Sequence, residues 1–355
     1  MIITTTGFFN TGSSVITNIL QEMGCIGNKD DVYELRILYD PDCISDLEFN
    51  LIENPHRQNT SYAIKRFKRY VDKNSNPLFN HHYEKICNGY FKIISYEYIN
   101  NISDFTFSAR SHLECFDKGV VFNLANRVYM KAIRTIFKSG VPQFINPSLL
   151  SNNITQYAGT LDCNLFFKET KEYINRIIAY CNPEDKDYVM IDQLVPPTNV
   201  SRYLNYLPDN QTIRVFIVDR DPRDLYFTCK YFLNSKAIPC QEPATFCRWY
   251  KWTREQSHVK DDPNCVMRIQ FEDLIYKYEI TRKKVLSFCG IEDCNCTKKS
   301  IFNPELSIQN TQVWLRFPEY SEELAIIEDL LSKYCYDFSS SPLKPDLQNG
   351  KMFDC

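Results

Sequence analysis

The chain has 355 residues, 41 lysines and arginines against 44 aspartates and glutamates, a formal charge of −3, and 44% apolar residues. This holds one large α/β domain or two smaller ones, and 14% aromatic residues exclude general disorder. The balanced charge excludes a nucleic-acid protein held by net electrostatics, and no apolar run reaches the ~18 residues a transmembrane helix needs.

In chain order, the β-branched run Ile2–Thr6 ends at Gly7 and predicts a strand. Beyond Gly12, apolar residues at 15, 16, 19, 20 and 23 share one face and predict a helix over 13–23. From about 31 to 185 the chain leans helical, with its best amphipathic segments at Gly119–Phe137 and Lys168–Tyr180. That stretch reads as an insertion packed on an α/β core. Tyr188–Ile191, Ile213–Val218 and Val266–Phe271 predict three further strands, and a helix from about Tyr276 to Cys289 ends at Gly290.

Strands alternating with helices imply a parallel sheet with helical crossovers. The expected class is α/β: a three-layer, P-loop-like core (about 1–30 and 186–338) around a central, mostly parallel sheet, with a large helical insertion over 31–185. Residues 1–338 form one domain in this reading, and 339–355 are a poorly ordered tail. The 15 cysteines are odd in number and include no CxxC, so they read as buried, reduced thiols of a cytoplasmic protein. The Met1–Thr6 start carries no signal-peptide pattern.

Two constellations carry chemistry. Gly7-Phe-Phe-Asn-Thr-Gly12-Ser13-Ser14 has the outline GxxxxGK[ST] with Ser13 in place of the lysine. A strand before it and a helix after it offer backbone N–H groups to a phosphate. Without the lysine, ordinary ATP or GTP hydrolysis is not expected. The alternative is a plain strand–turn–helix. The second constellation follows the strand Ile213–Val218. Arg220 stands at its carboxyl edge and Thr228 eight residues later on a helix, where a guanidinium and a hydroxyl can share one phosphate. The alternative is a solvated Arg/Asp cluster.

Two phosphate sites without a Walker lysine suit a nucleotide phosphorylated at both its 5′ and 3′ ends. Here the sequence resembles the sulfotransferase family that uses 3′-phosphoadenosine 5′-phosphosulfate (PAPS). Phe9-Asn10-Thr11-Gly12-Ser13-Ser14 is similar to that family's 5′ loop, and Arg220 to Thr228 to its R-[DN]-x-x-D 3′ motif. Phe271-Glu-Asp-Leu274, Phe288-Cys-Gly-Ile291 and the segment Ser307–Trp314 extend the resemblance to both ends of the core. It implies that Thr11, Gly12, Ser13 and Ser14 hold the 5′-phosphosulfate. Arg220 and Thr228 would hold the 3′-phosphate, and Trp314 or nearby aromatics would contact adenine. No metal is implied.

One departure stands at Asn10, where the family places the Lys or Arg that neutralises charge on the leaving oxygen. Either another cation, such as Lys65 or Arg66, reaches in, or turnover is slow or absent. Glu34, in Val32-Tyr-Glu-Leu, suits the general base of the carbohydrate enzymes; the alternative is a surface carboxylate. His56, His81, His82, His112 and His258 are weaker candidates. Asp192 and Gln193 end a strand at the ligand edge. The resulting expectation is a cytoplasmic sulfotransferase moving a sulfuryl group from PAPS to a carbohydrate or glycolipid hydroxyl, with PAP as product. No nucleic-acid partner is expected, and homo-oligomerisation is left open. The alternatives are a non-catalytic PAPS/PAP-binding protein and, less favoured, a P-loop kinase using Asp219 and magnesium.

Overall fold

The computed structural model describes residues 1–26, 33–79, 82–111, 113–150, 153–257, 259–292, 301–340, 343–347 and 350–352. Among them the strands are β1 (Ile2–Gly7), β2 (Tyr33–Glu34), β3 (Ser103–Ser108), β4 (Thr155–Gly159), β5 (Val189–Asp192), β6 (Ile213–Asp219) and β7 (Val266–Gln270). The chain divides into two compact units, one of Met1–Leu38 with Ile178–Cys355, the other of Tyr39–Ile177.

The first unit is built on a five-stranded sheet of order β2-β5-β1-β6-β7, with every pairing parallel. Its central strands are buried on both faces, as the near-continuous Ile/Thr and Ile/Val/Phe runs of β1 and β6 require. On one face Ile3 and Phe216 pack with Ile16, Ile19 and Leu20 of the helix Ser14–Gln21 and with Val285 and Leu286 of the helix Tyr278–Cys289. Each such side chain contributes about 1.5–3 kcal/mol by leaving water. The helix expected from Tyr276 is two pieces, Asp273–Tyr276 and Tyr278–Cys289, broken at Lys277 (φ −125°, ψ 35°); Gly290 ends the second in the left-handed region.

The strand order fixes where a ligand fits. From β1 the chain leaves toward the β2 edge, and from β6 it leaves toward the β7 edge. The connections therefore diverge between the carboxyl ends of two adjacent strands, which opens a crevice there.

The second unit carries an antiparallel pair, β3 with β4, and the helices Arg57–Asn74 and Gly119–Ile136. The pair is an addition to the expected, helix-leaning insertion. Ser61 Oγ donates to Gln156 Oε1 (2.8 Å) and accepts from the Tyr157 N–H (3.1 Å), which ties the helix Arg57–Asn74 to β4. Phe67 meets Tyr98 and Tyr173 edge-on, and those two rings stack at 4.5 Å. The helix Gly119–Ile136 forms where its periodicity predicts. It turns a polar side inward: the buried Asn126 side chain accepts from Ser148 Oγ and the Leu149 N–H, and Tyr129 donates to the Asn146 carbonyl.

Twelve cysteines are described; all are free thiols and seven are buried, while Cys294, Cys296 and Cys355 lie outside the described residues. Among the described residues no helix is long and apolar enough to cross a membrane. Within the expected tail, the carbonyls of Asp346 and Leu347 accept from Arg316.

Candidate functional site

The loop after β1 is shaped by two glycines. A Cβ on Gly7 would stand 2.9 Å from the Val218 carbonyl oxygen, and one on Gly12 would stand 2.5 Å from Cδ2 of Phe271. Gly12 also takes φ +84°, a left-handed conformation that an L side chain adopts only at a cost. Phe9 (φ 73°) and Asn10 (φ 53°) share that region without being glycine, so the loop is held in a shape its own residues disfavour. The loop leads into the helix Ser14–Gln21 at Ser13, whose side chain caps nothing. Within its first turn the Val15 and Ile16 N–H groups already donate to the carbonyls of Gly12 (3.2 Å) and Ser13 (3.1 Å), so the amides left to offer a ligand are those at the loop's end, Gly12 to Ser14.

Arg220, the first residue after β6, converges on the same loop. Its guanidinium donates to the carbonyls of Asn10 (3.4 Å) and Asn310 and to the Thr228 hydroxyl (3.4 Å). The guanidinium carbon lies 5.1 Å from the centre of the Phe271 ring. Arg220 is only 3% exposed, yet its Nε has no hydrogen-bond partner among the described residues. A buried, charged donor left open is costly unless something else accepts from it. Thr228 is fully buried and begins a π-helical turn, Thr228–Phe232, directly after the helix Pro222–Phe227; such turns recur at functional sites.

Gly12, Ser13, Ser14, Arg220 and Thr228 line one cleft of about 340 Å³, with Phe271, Phe302, Ser307 and Asn310. Arg220 is the sole cation among the described residues that line it. The cleft occupies the crevice that the strand order opens between β1 and β6.

Behind Arg220 lie three fully buried carboxyl groups, Asp221, Asp224 and Glu272. Asp221 accepts from the Arg223 guanidinium (2.7 Å) and the Tyr336 N–H (2.7 Å). Asp224 accepts from the N–H groups of Gln312 (3.0 Å) and Val313 (2.6 Å), which anchors the segment that brings Ser307 and Asn310 to the cleft. Burial pushes Asp224 above the usual carboxylate range, and the Asp221 charge adds to it; Arg220 and the two N–H groups pull it back. Burial raises Glu272 in the same way, with Asp221 and Asp224 as the next causes.

Of the residues expected from the sequence, Asn10, Thr11, Gly12, Ser13, Ser14, Arg220 and Thr228 all line the cleft. Asn10 Nδ2 donates to the sulfur of Cys229 at 3.4 Å. Two expected residues are not brought in. Trp314 is buried beneath Arg223, whose guanidinium sits 4.2 Å from its ring, and it lies outside the cleft lining. Glu34 ends β2 in register with Asp192 of β5, forms an ion pair with Arg36 at 3.2 Å, and does not line the cleft either.

Next to Asp192, the register partner of Glu34, Gln193 reaches the site. Gln193, at φ 56°, donates its N–H to the Thr5 carbonyl and lines the cleft. Burial raises the pKa of Asp192, against the hydrogen bond from Thr5 Oγ1, and the charge of Glu34 raises it further. Lys65 and Arg66 belong to the second unit, on the helix Arg57–Asn74, where Arg66 lies 3.0 Å from Asp42. His56 precedes that helix and His82 begins the helix His82–Ile86 of the same unit; His81, His112 and His258 lie outside the described residues.

The aromatic lining of the cleft is Phe9, Phe271 and Phe302, of which sequence reasoning placed Phe271 and Phe9 in motifs and missed Phe302. Phe302 carries no motif and is visible in sequence only as an apolar residue before Pro304. Asp219, the residue a kinase would turn to magnesium, is held by Arg254 at 2.6 and 3.2 Å. No family model, no curated protein and no solved structure matches the chain.

Proposed function

We propose that the cleft holds a nucleotide phosphorylated at both ends, and that the chain is a PAPS-dependent sulfotransferase acting on a carbohydrate or glycolipid hydroxyl. The observation that carries this reading is the pairing, in one cleft, of a helix start at Ser13 with no side-chain cap and a buried Arg220 whose Nε lacks an acceptor among the described residues. The loop Gly7–Gly12 is read as a P-loop-like phosphate cradle. Its amides and the Ser13 and Ser14 hydroxyls take the 5′ end, while Arg220 and Thr228 take the 3′-phosphate. Phe271 or Phe302, rather than Trp314, offers the apolar wall for adenine.

In the transfer step the acceptor oxygen forms a bond to sulfur as the bond from sulfur to the 5′-phosphate oxygen breaks, and PAP departs. The acceptor proton passes to a carboxylate. Asp192 immediately precedes the cleft-lining Gln193, and its raised pKa inclines it to hold a proton; Glu34, outside the cleft, acts only through its charge on Asp192. Catalysis is then positioning and charge stabilisation by fixed donors.

A second reading has one observation in its favour: the only cation lining the cleft among the described residues is Arg220, and Asn10 supplies no charge. That suits a protein that binds PAPS or PAP without turnover. Transfer from radiolabelled PAPS to a panel of sugar hydroxyls tests the first reading directly. Asn10→Lys separates the two: it only modifies the rate of an active enzyme, but creates activity in a binding protein. A folded chain that neither transfers sulfate nor retains PAP overturns both.

A further inference from the structure

We propose that the helix Gly119–Ile136 is an interfacial anchor that lays its outer face on an anionic lipid bilayer. Its apolar residues are not where an amphipathic helix of a closed fold puts them. Val120, Val121, Leu124, Val128 and Ile136 are 83%, 84%, 64%, 64% and 70% exposed. Positions 120, 124, 128, 132 and 136 recur every four residues, so adjacent members overlie one another and the set forms a stripe that advances about 40° per step around the helix. The reason this side faces out is the opposite side: Asn126 and Tyr129 are committed inward by hydrogen bonds to Ser148, Leu149 and Asn146.

The charge on this element selects the occupant. Arg127, Lys131 and Arg134 form an exposed row at spacings of four and three residues, beside the apolar one, and none makes an ion pair among the described residues. From Lys118 to Leu161 the sequence contains no aspartate or glutamate. An exposed apolar stripe edged by unpaired cations complements a bilayer whose apolar interior lies beneath a negative headgroup layer. A second copy of the chain would bring the same cations face to face. A nucleic acid would use the basic row and leave the valines and leucine wet. The helix lies on the membrane in this proposal and does not span it. Nothing in it depends on the nucleotide reading of the cleft.

The test is sedimentation of the full chain with vesicles of phosphatidylcholine alone and of phosphatidylcholine with phosphatidylserine, in the absence of nucleotide. Binding is expected to the phosphatidylserine vesicles, weakening as salt rises. Neutralising the row together (Arg127→Gln, Lys131→Gln, Arg134→Gln) is expected to lower partitioning roughly a hundredfold, since each cation near such a surface is worth on the order of a factor of five. Val121→Asp with Leu124→Asp is expected to abolish it. All five side chains are exposed, so circular dichroism should show an unchanged fold.

The proposal is overturned if the folded chain ignores phosphatidylserine vesicles, or if both variants bind as the parent does. It is equally overturned if the parent is a dimer that Val121→Asp with Leu124→Asp dissociates. Retention of an RNA probe in place of vesicles, lost in the glutamine variant, would assign the row to a nucleic acid instead.

Discussion

Gly12→Ala probes the loop most sharply, because its cost can be assembled from two separate terms. The first is conformational: φ +84° is left-handed, which costs an L-alanine about 1–2 kcal/mol. The second is steric. The new methyl group would lie 2.5 Å from Cδ2 and 2.8 Å from Cε2 of Phe271, a ring that packs in the core with Ile269 and Leu274 and also lines the cleft, so it must shift to make room. Overpacking of this kind costs about 1–3 kcal/mol. Together they predict a loss of about 2–5 kcal/mol, read as a lower urea midpoint at unchanged m-value. Gly24→Ala is the control, since Gly24 has φ +69° but nothing within 4 Å of its Cβ position. It should lose only the conformational term. Phe271→Ala in the Gly12→Ala background should recover much of the steric term relative to additivity. If Gly12→Ala costs no more than Gly24→Ala, and shows no coupling to Phe271, the loop is not packed as described.

Other substitutions address charge. Arg220→Ala should weaken PAP binding by roughly 3 kcal/mol, about 150-fold, as expected for truncating one partner of a buried, charge-assisted contact; titration calorimetry reads it, and an unchanged affinity would remove Arg220 from the site. Asp224 has a folded-state pKa raised above its unfolded value, so the folded chain binds more protons and this group's contribution to stability grows as pH falls from neutral toward the ordinary carboxylate range. Asp224→Asn should therefore lose that gain on acidification, seen as a flatter pH dependence of the urea midpoint than the parent shows; an unchanged slope would contradict the assignment. Glu323 runs the other way: burial raises its pKa, but hydrogen bonds from Lys230, Tyr231 and Tyr226 outweigh burial and lower it. Its stabilisation is present above the unfolded pKa and fades as pH falls through the folded one. Glu323→Gln should cost about 1 kcal/mol at neutral pH, and nothing at a pH where both forms are protonated.

The parts of the site written in contiguous residues were legible. Gly7 to Ser14 and Arg220 to Thr228 each combine a strand end with a local spacing, and both line the cleft. Trp314 and Glu34 lie outside the cleft lining, because their positions depend on packing that local spacing does not encode. Arg223 draws Trp314 beneath its guanidinium, and Arg36 takes Glu34. The pairing of β3 with β4 was hidden for a related reason. The two strands are far apart in sequence with no tight turn between them, so no local signal marks them as partners. For Gly119–Ile136, periodicity gave the helix but not its orientation. A difference between two faces does not say which one is covered, and here the hydrogen bonds of Asn126 decide it.

The central claim is that one cleft accepts two phosphate groups of one nucleotide, and calorimetric titration of the chain with PAP, ATP and ADP in magnesium-free buffer tests it most directly. The account predicts micromolar binding of PAP, strongly weakened by Arg220→Ala, and no comparable binding of ATP. Equal binding of ATP, or no binding of PAP by the folded chain, would contradict it.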